Sequence, residues 1–178
     1  DTGPADYVLF VNRNAVGVIE AKKDSAGENI TVVESQTERY AAANLNWRQD
    51  NTPLRFPLEA TGQITRFTDN ADPAPRSREI FHFFKPETLA SWLAQPDTLR
   101  SRLVEQMPAL PEKNLRDCQI SAVTGLEKSL ALNKPRALVH MATGAGKTFT
   151  AITSVYRLLK FGGARRILFL VDTRNLGK

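Results

Sequence analysis

Asp6, Glu20 and Lys22 have the residue types that act on a phosphate ester. In the run Val18-Ile19-Glu20-Ala21-Lys22, the alternation of an extended strand puts Val18, Glu20 and Lys22 on one face and Ile19 and Ala21 on the other. The carboxylates of Asp6 and Glu20 are hard oxygen ligands suited to Mg2+, and Lys22 can orient or deprotonate a water and offset developing charge. That combination suits phosphodiester hydrolysis. A second chemical sequence is Ala142-Thr143-Gly144-Ala145-Gly146-Lys147-Thr148. Its glycines let the backbone curl so that N–H groups face a phosphate, Lys147 can reach terminal phosphates, and the Thr148 hydroxyl suits Mg2+.

The elements around these residues must bring them together. Tyr7 to Val11 and Ala15 to Ala21 are apolar runs joined by Asn12-Arg13-Asn14, which predicts a hairpin that carries Asp6 towards Glu20 and Lys22. From Val32 to Trp47 there is no Pro or Gly, and Val33, Gln36, Tyr40, Ala43 and Trp47 recur at helical spacing, which predicts a helix. Pro53 and Pro57 bracket Leu54-Arg55-Phe56. Leu58 to Ala60 and Ile64 to Phe67, separated by Thr61-Gly62-Gln63, read as a second hairpin. Asp69 to Arg78 reads as a long loop, Ile80 to Phe84 as a strand, and Glu87 to Ala94 and Thr98 to Met107 as helices. Beyond Pro108 and Pro111 the expected order is helix (Asp117 to Leu132), strand (Ala137 to Met141), Gly-rich loop, helix (Lys147 to Lys160) and strand (Ile167 to Val171), the start of a parallel α/β sheet.

Composition narrows the class. With 42% hydrophobic residues the chain of 178 residues can build a packed core. No run approaches the roughly 18 apolar residues of a membrane helix, so no membrane partner is expected. The single cysteine, Cys118, cannot form an internal disulfide and fits a reducing, cytoplasmic setting. Lys and Arg number 24 against 19 Asp and Glu, a formal net charge of +5 that favours polyanionic partners. His82 and His140 flank apolar runs with no second ligand at metal spacing, so packing at the core or a sheet edge is expected; Trp92 and Trp47 are expected in the core. The scattered arginines 76, 78, 100, 102, 165 and 166 read as solvated surface.

Met141-Ala-Thr-Gly-Ala-Gly-Lys-Thr148 resembles motif I of superfamily 2 helicases and translocases, which implies ATP as the nucleotide. Leu115-Arg116-Asp117-Cys118-Gln119 resembles the upstream element in which a glutamine reads adenine, a role the resemblance gives to Gln119. Residues Arg166 to Leu176 resemble motif Ia, near the nucleic-acid backbone. Asp6 with Glu20-Ala21-Lys22 resembles the PD-(D/E)xK nuclease superfamily, which implies that the Ala21 carbonyl also binds the metal. Gln36-Thr37-Glu38-Arg39-Tyr40 matches the Q-x-x-x-Y element of the RecB-like branch, which implies that Gln36 and Tyr40 position DNA.

This ordering of motifs resembles the restriction (R) subunit of type I restriction-modification enzymes. The fold the resemblance implies is α/β, a nuclease core with a mixed sheet flanked by helices followed by the start of a RecA-like parallel motor domain. The expected boundaries are a nuclease domain at 1–85, a connector at 86–112 and a motor segment at 113–178, the chain being read as an internal piece incomplete at both ends. The implied activity is Mg2+-dependent cleavage of double-stranded DNA coupled to ATP-driven translocation, with methyltransferase and specificity subunits as partners. The acidic strand and second-lobe arginines of a complete motor are not found, so weak ATP binding without useful hydrolysis is expected. Two other classes stay open: a DNA-repair nuclease-helicase fusion, and a non-catalytic DNA-binding module whose binding is indifferent to Asp6 and Glu20.

Overall fold

The computed structural model describes residues 6–23, 53–111, 113–134 and 136–170. They fall into two compact units, one of Asp1–Thr98 with Asn133–Pro135 and the other of Leu99–Leu132 with Arg136–Lys178.

The first unit is a five-stranded mixed sheet in the order β1-β2-β3-β4-β5, with β1 at Tyr7–Val11, β2 at Asn14–Ala21, β3 at Phe56–Ala60, β4 at Thr65–Phe67 and β5 at Arg78–Ile80. The predicted first hairpin forms. Asn12 (φ 49°) and Arg13 (φ 67°) take the two left-handed positions of a tight turn whose twist suits antiparallel strands. β2 then pairs in parallel with β3, Glu20 facing Glu59 and Ile19 facing Leu58. The predicted second hairpin also forms, with Leu58 opposite Phe67 and Ala60 opposite Thr65. Ladder pairing extends it to β5, where Thr65 faces Ile80.

That last pair corrects the strand expected at 80–84. Residues 61–64 form the turn that joins β3 to β4, closed by the Thr61 N–H on the Ile64 carbonyl (2.8 Å), so β4 begins at Thr65 and the chain beyond Ile80 has no ladder to join. Phe81 is fully exposed instead. The paired segment is Arg78–Ile80, which takes in Arg78, expected as the loop end, and only the first residue, Ile80, of the expected strand.

One face of the sheet meets helix α1, Pro86–Leu93. Phe56, Leu58 and Phe67 are buried there with Leu89, and Phe84 and Trp92 close the cluster. Phe67 and Phe84 meet edge-to-face at 4.9 Å between centroids, and Phe84 and Trp92 at 4.8 Å. Arg55 grips both carboxylate oxygens of Asp69 (2.8 and 3.0 Å) and the Trp92 carbonyl (2.8 Å), which fixes the start of the predicted long loop against the helix.

The second unit contains α2 (Leu99–Glu105), α3 (Asp117–Ala131) and α4 (Lys147–Lys160), within one or two residues of the predicted helices. Arg157 on α4 is buried and binds Glu127 of α3 through two bonds (2.6 and 3.2 Å) and the Pro108 carbonyl (2.7 Å). The strands expected at 137–141 and 167–171 are a correction: no described residue of either belongs to a sheet. Apolar composition favours strand, but a strand exists only where a neighbour completes its ladder. Without one, Leu138, Leu168 and Leu170 lie open to solvent. His82 and His140, expected to be packed, are also exposed, and so is Cys118. No helix among the described residues is long and apolar enough to cross a membrane.

Candidate functional site

The β1–β2 hairpin gathers the first set of charged residues at one end of the sheet. Tyr7 pairs with Ile19, so Asp6 falls opposite Glu20. Its Oδ2 accepts the Ala21 N–H at 2.8 Å. Lys22 Nζ donates to Glu20 Oε1 at 2.7 Å, both side chains being largely buried. The other oxygen, Glu20 Oε2, is buried and has no hydrogen-bond partner. A buried carboxylate oxygen without a donor costs free energy unless a cation or a donor meets it. The donor set therefore fits a divalent metal: two hard carboxylates, one with an orphaned oxygen, beside a lysine. Among the described residues no set of three or more His, Cys, Asp or Glu side chains is gathered for a metal, so Asp6 and Glu20 provide two acidic ligands rather than a complete shell.

The strand pairing adds a residue that sequence reasoning missed. Glu59 stands directly opposite Glu20 in the parallel ladder, on the same face of the sheet, and is buried. Arg66 continues this polar row on β4 opposite Glu59, and Glu79 on β5 opposite Arg66. The available signal was a lone acid within the otherwise apolar Phe56-Pro57-Leu58-Glu59-Ala60. Gln36 and Tyr40 lie outside the described residues.

The second set is the loop before α4. Gly144 (φ 78°) and Gly146 (φ 86°) take the left-handed conformation that side chains disfavour, and Ala145 N–H closes a turn on Ala142 O at 3.2 Å. Gly146 serves as the N-cap of α4, so the helix begins directly at Lys147 and Thr148. Its first N–H groups have no carbonyl a turn earlier, which with the helix dipole suits an anion. Thr143, Lys147 and Thr148 are exposed, and Lys147 Nζ rests on Ala142 O at 3.3 Å. Phosphate binding at Lys147 and Mg2+ binding at Thr148 fit these positions.

Gln119 lies against this loop. Its Oε1 accepts the Arg116 N–H (3.0 Å) and its Nε2 donates to Ala145 O (3.0 Å). Arg116, which sequence reasoning left without a role, donates Nη1 to Gly144 O at 2.9 Å.

A mixed sheet bearing a D…E-x-K edge, followed by a Gly-rich loop at a helix N-terminus, combines a nuclease-like and a nucleotide-binding-like element in one chain. Comparison with known proteins leads to the same class. Residues 1–66 match the family "Type I restriction enzyme EcoKI endonuclease subunit second domain" and residues 112–178 the family "Type III restriction enzyme, res subunit". The endonuclease subunit of the type I restriction enzyme EcoKI from Escherichia coli (strain K12) is 28% identical over 214 residues, covering 99% of this chain and 18% of that subunit. The EcoAI endonuclease subunit from Escherichia coli is 41% identical over 64 residues, covering 36% of this chain and 8% of that subunit. The chain is thus a relative of type I restriction endonuclease subunits along almost its whole length, and it spans less than a fifth of the length of either relative. No solved structure matches it significantly.

Proposed function

We propose that the first unit is a DNA endonuclease centre and the second the beginning of the ATP-driven motor that feeds it, as parts of a type I restriction enzyme. The observation that carries this reading is the convergence of Asp6, Glu20 and Lys22 at one sheet end, with Glu20 Oε2 buried and lacking a donor. Nuclease 1–85, connector 86–112 and motor segment 113–178 is the division we propose.

Asp6, Glu20 and the Ala21 carbonyl would hold Mg2+, which when bound supplies Lewis-acid polarisation of the scissile phosphate. Lys22 has the further work. Its ammonium, held by Glu20, is placed to orient a water and to meet the negative charge that grows on the phosphate oxygens. Gln36 and Tyr40 would position the DNA strand. In the loop, the Thr143–Gly146 backbone and Lys147 would cradle the ATP phosphates and Thr148 would bind their Mg2+. The partners of this reading are double-stranded DNA and the methyltransferase and specificity subunits, in the cytoplasm.

Calorimetric titration of Mn2+ into the chain, Asp6→Ala and Glu20→Ala tests the centre without requiring those partners. Binding lost in both variants supports it. Binding that both variants retain means Asp6 and Glu20 are not ligands, and the nuclease reading is then abandoned.

A further inference from the structure

We propose that Phe81 and Phe83 form a stacking rim for unpaired bases of a DNA strand, at the end of the sheet that holds Glu20. The proposal deepens the nuclease reading and rests on it for the choice of DNA as ligand.

Strand pairing places this segment. Ala21 of β2 faces Ala60 of β3, Ala60 faces Thr65 of β4, and Thr65 faces Ile80 of β5, so the four residues form one row across the sheet. Ala21 lies between Glu20 and Lys22, and its N–H is the one that Asp6 accepts. Phe81 directly follows Ile80 and therefore leaves the sheet at the same end. Three strand spacings, about 14 Å, separate β5 from β2 along that row.

The run Phe81-His82-Phe83-Phe84 divides its rings between core and solvent. Phe84 meets Phe67 (4.9 Å between centroids) and Trp92 (4.8 Å), which anchors the run to the packed face of the sheet. Phe81 is fully exposed and Phe83 nearly half exposed. Rings left in water forgo the free energy that burial would return, and a stacking partner returns it.

Charge selects that partner. Residues 76–85 contain three cations, Arg76, Arg78 and Lys85, against the single carboxylate of Glu79. Arg76 and Lys85 are exposed. Exposed rings beside cations suit nucleobases on a phosphate backbone, because every base has a π-face and the phosphates meet the positive charge. Bases inside a closed duplex present only their edges, so the rings meet them where the two strands have parted. A strand gripped there would lie a few nucleotides from the bond presented to Glu20 and Lys22.

Fluorescence anisotropy in EDTA tests the rim without cleavage, using a thymidine oligonucleotide and an abasic one of the same length and charge. The unaltered chain should bind the thymidine strand more tightly. Phe81→Ala should weaken that binding by about tenfold, the scale of one lost base stack, and leave the abasic strand and the salt dependence unchanged. Phe81→Trp should restore the preference, and Phe81→Leu should not. Because Phe81 is fully exposed, the alanine variant should melt with the unaltered chain.

Equal affinity of the unaltered chain for the two strands, or no binding of either, would overturn the proposal, as would an equal loss on both in Phe81→Ala. A change in the sedimentation of the free chain, with DNA affinity unaltered, would assign the rings to contact between copies and overturn it too. Asp6→Ala should keep the base preference, since no metal is bound in EDTA. Absent Mn2+ binding with an intact base preference would therefore reject the nuclease centre alone, and Mn2+ binding without base preference would reject the stacking rim alone.

Discussion

Glu59 of β3 stands directly opposite Glu20 of β2, and the two carboxylates leave the sheet on the same face. Glu59 is 4% exposed and Glu20 also largely buried, so their field acts through protein more than through water. Each adds negative potential where a cation bound to Glu20 would sit. Glu59→Gln, which keeps the shape and removes the charge, should weaken Mn2+ binding by on the order of tenfold even though Glu59 is not assigned as a ligand. Calorimetry checks this, and unchanged affinity would mean that the second carboxylate is electrically irrelevant to the site.

The hairpin that carries Asp6 to Glu20 turns through Arg13 at φ 67°. A side chain there costs about 1–2 kcal/mol relative to glycine, part of which glycine gives back through its freedom in the unfolded chain. Arg13→Gly should therefore raise stability by about 0.5 kcal/mol, and Arg13→Val should lower it by more than about 1 kcal/mol, since a branched side chain suits this region worst. Urea denaturation of the two variants provides the comparison; equal midpoints would show that the turn is not under strain.

In the second unit the expected weak point is Arg157. It is 4% exposed, paired with Glu127 and bonded to Pro108 O. Removing one member of a buried pair leaves the other charge without compensation, so Arg157→Ala should cost about 3–5 kcal/mol. The double variant with Glu127→Gln should cost less than the sum of the single changes. Additive losses in a denaturation series would mean that the two side chains do not depend on each other.

Local pattern carried the sequence reading as far as local physics reaches. The β1–β2 hairpin was legible because apolar runs flank Asn12-Arg13-Asn14, and the phosphate loop because glycines stand between an apolar run and a helical one. Which strand lies beside which, when they are distant in sequence, has no local signature. The parallel pairing of β2 with β3 therefore stayed hidden, and with it the position of Glu59 opposite Glu20. The same limit hid the bond from Arg116 to Gly144. In the opposite direction, the apolar runs at Leu138 and Leu168 looked like strands because side-chain character was visible while the ladder partner was not. His82 was misplaced because its apolar neighbours suggested burial, whereas β4 is too short to carry the sheet past Ile80.

Gly17 links this packing to the chemistry. It pairs with Phe56, and a Cβ at Gly17 would collide with the Phe56 carbonyl oxygen and press on Leu9 Cδ1 at 3.3 Å. The carbonyl belongs to the backbone of the adjacent strand, so it cannot swing aside as a flexible side chain would. Gly17→Ala must push β2 and β3 apart, at a cost of about 1–3 kcal/mol for an overpacked core. Because Glu20 and Glu59 lie three residues further along the same two strands, the displacement should reach the metal site as well. The variant should thus lose Mn2+ affinity in addition to stability, although residue 17 has no polar side chain. A stability loss with unchanged affinity, measured below the onset of unfolding, would show that the strain is absorbed before it reaches Glu20.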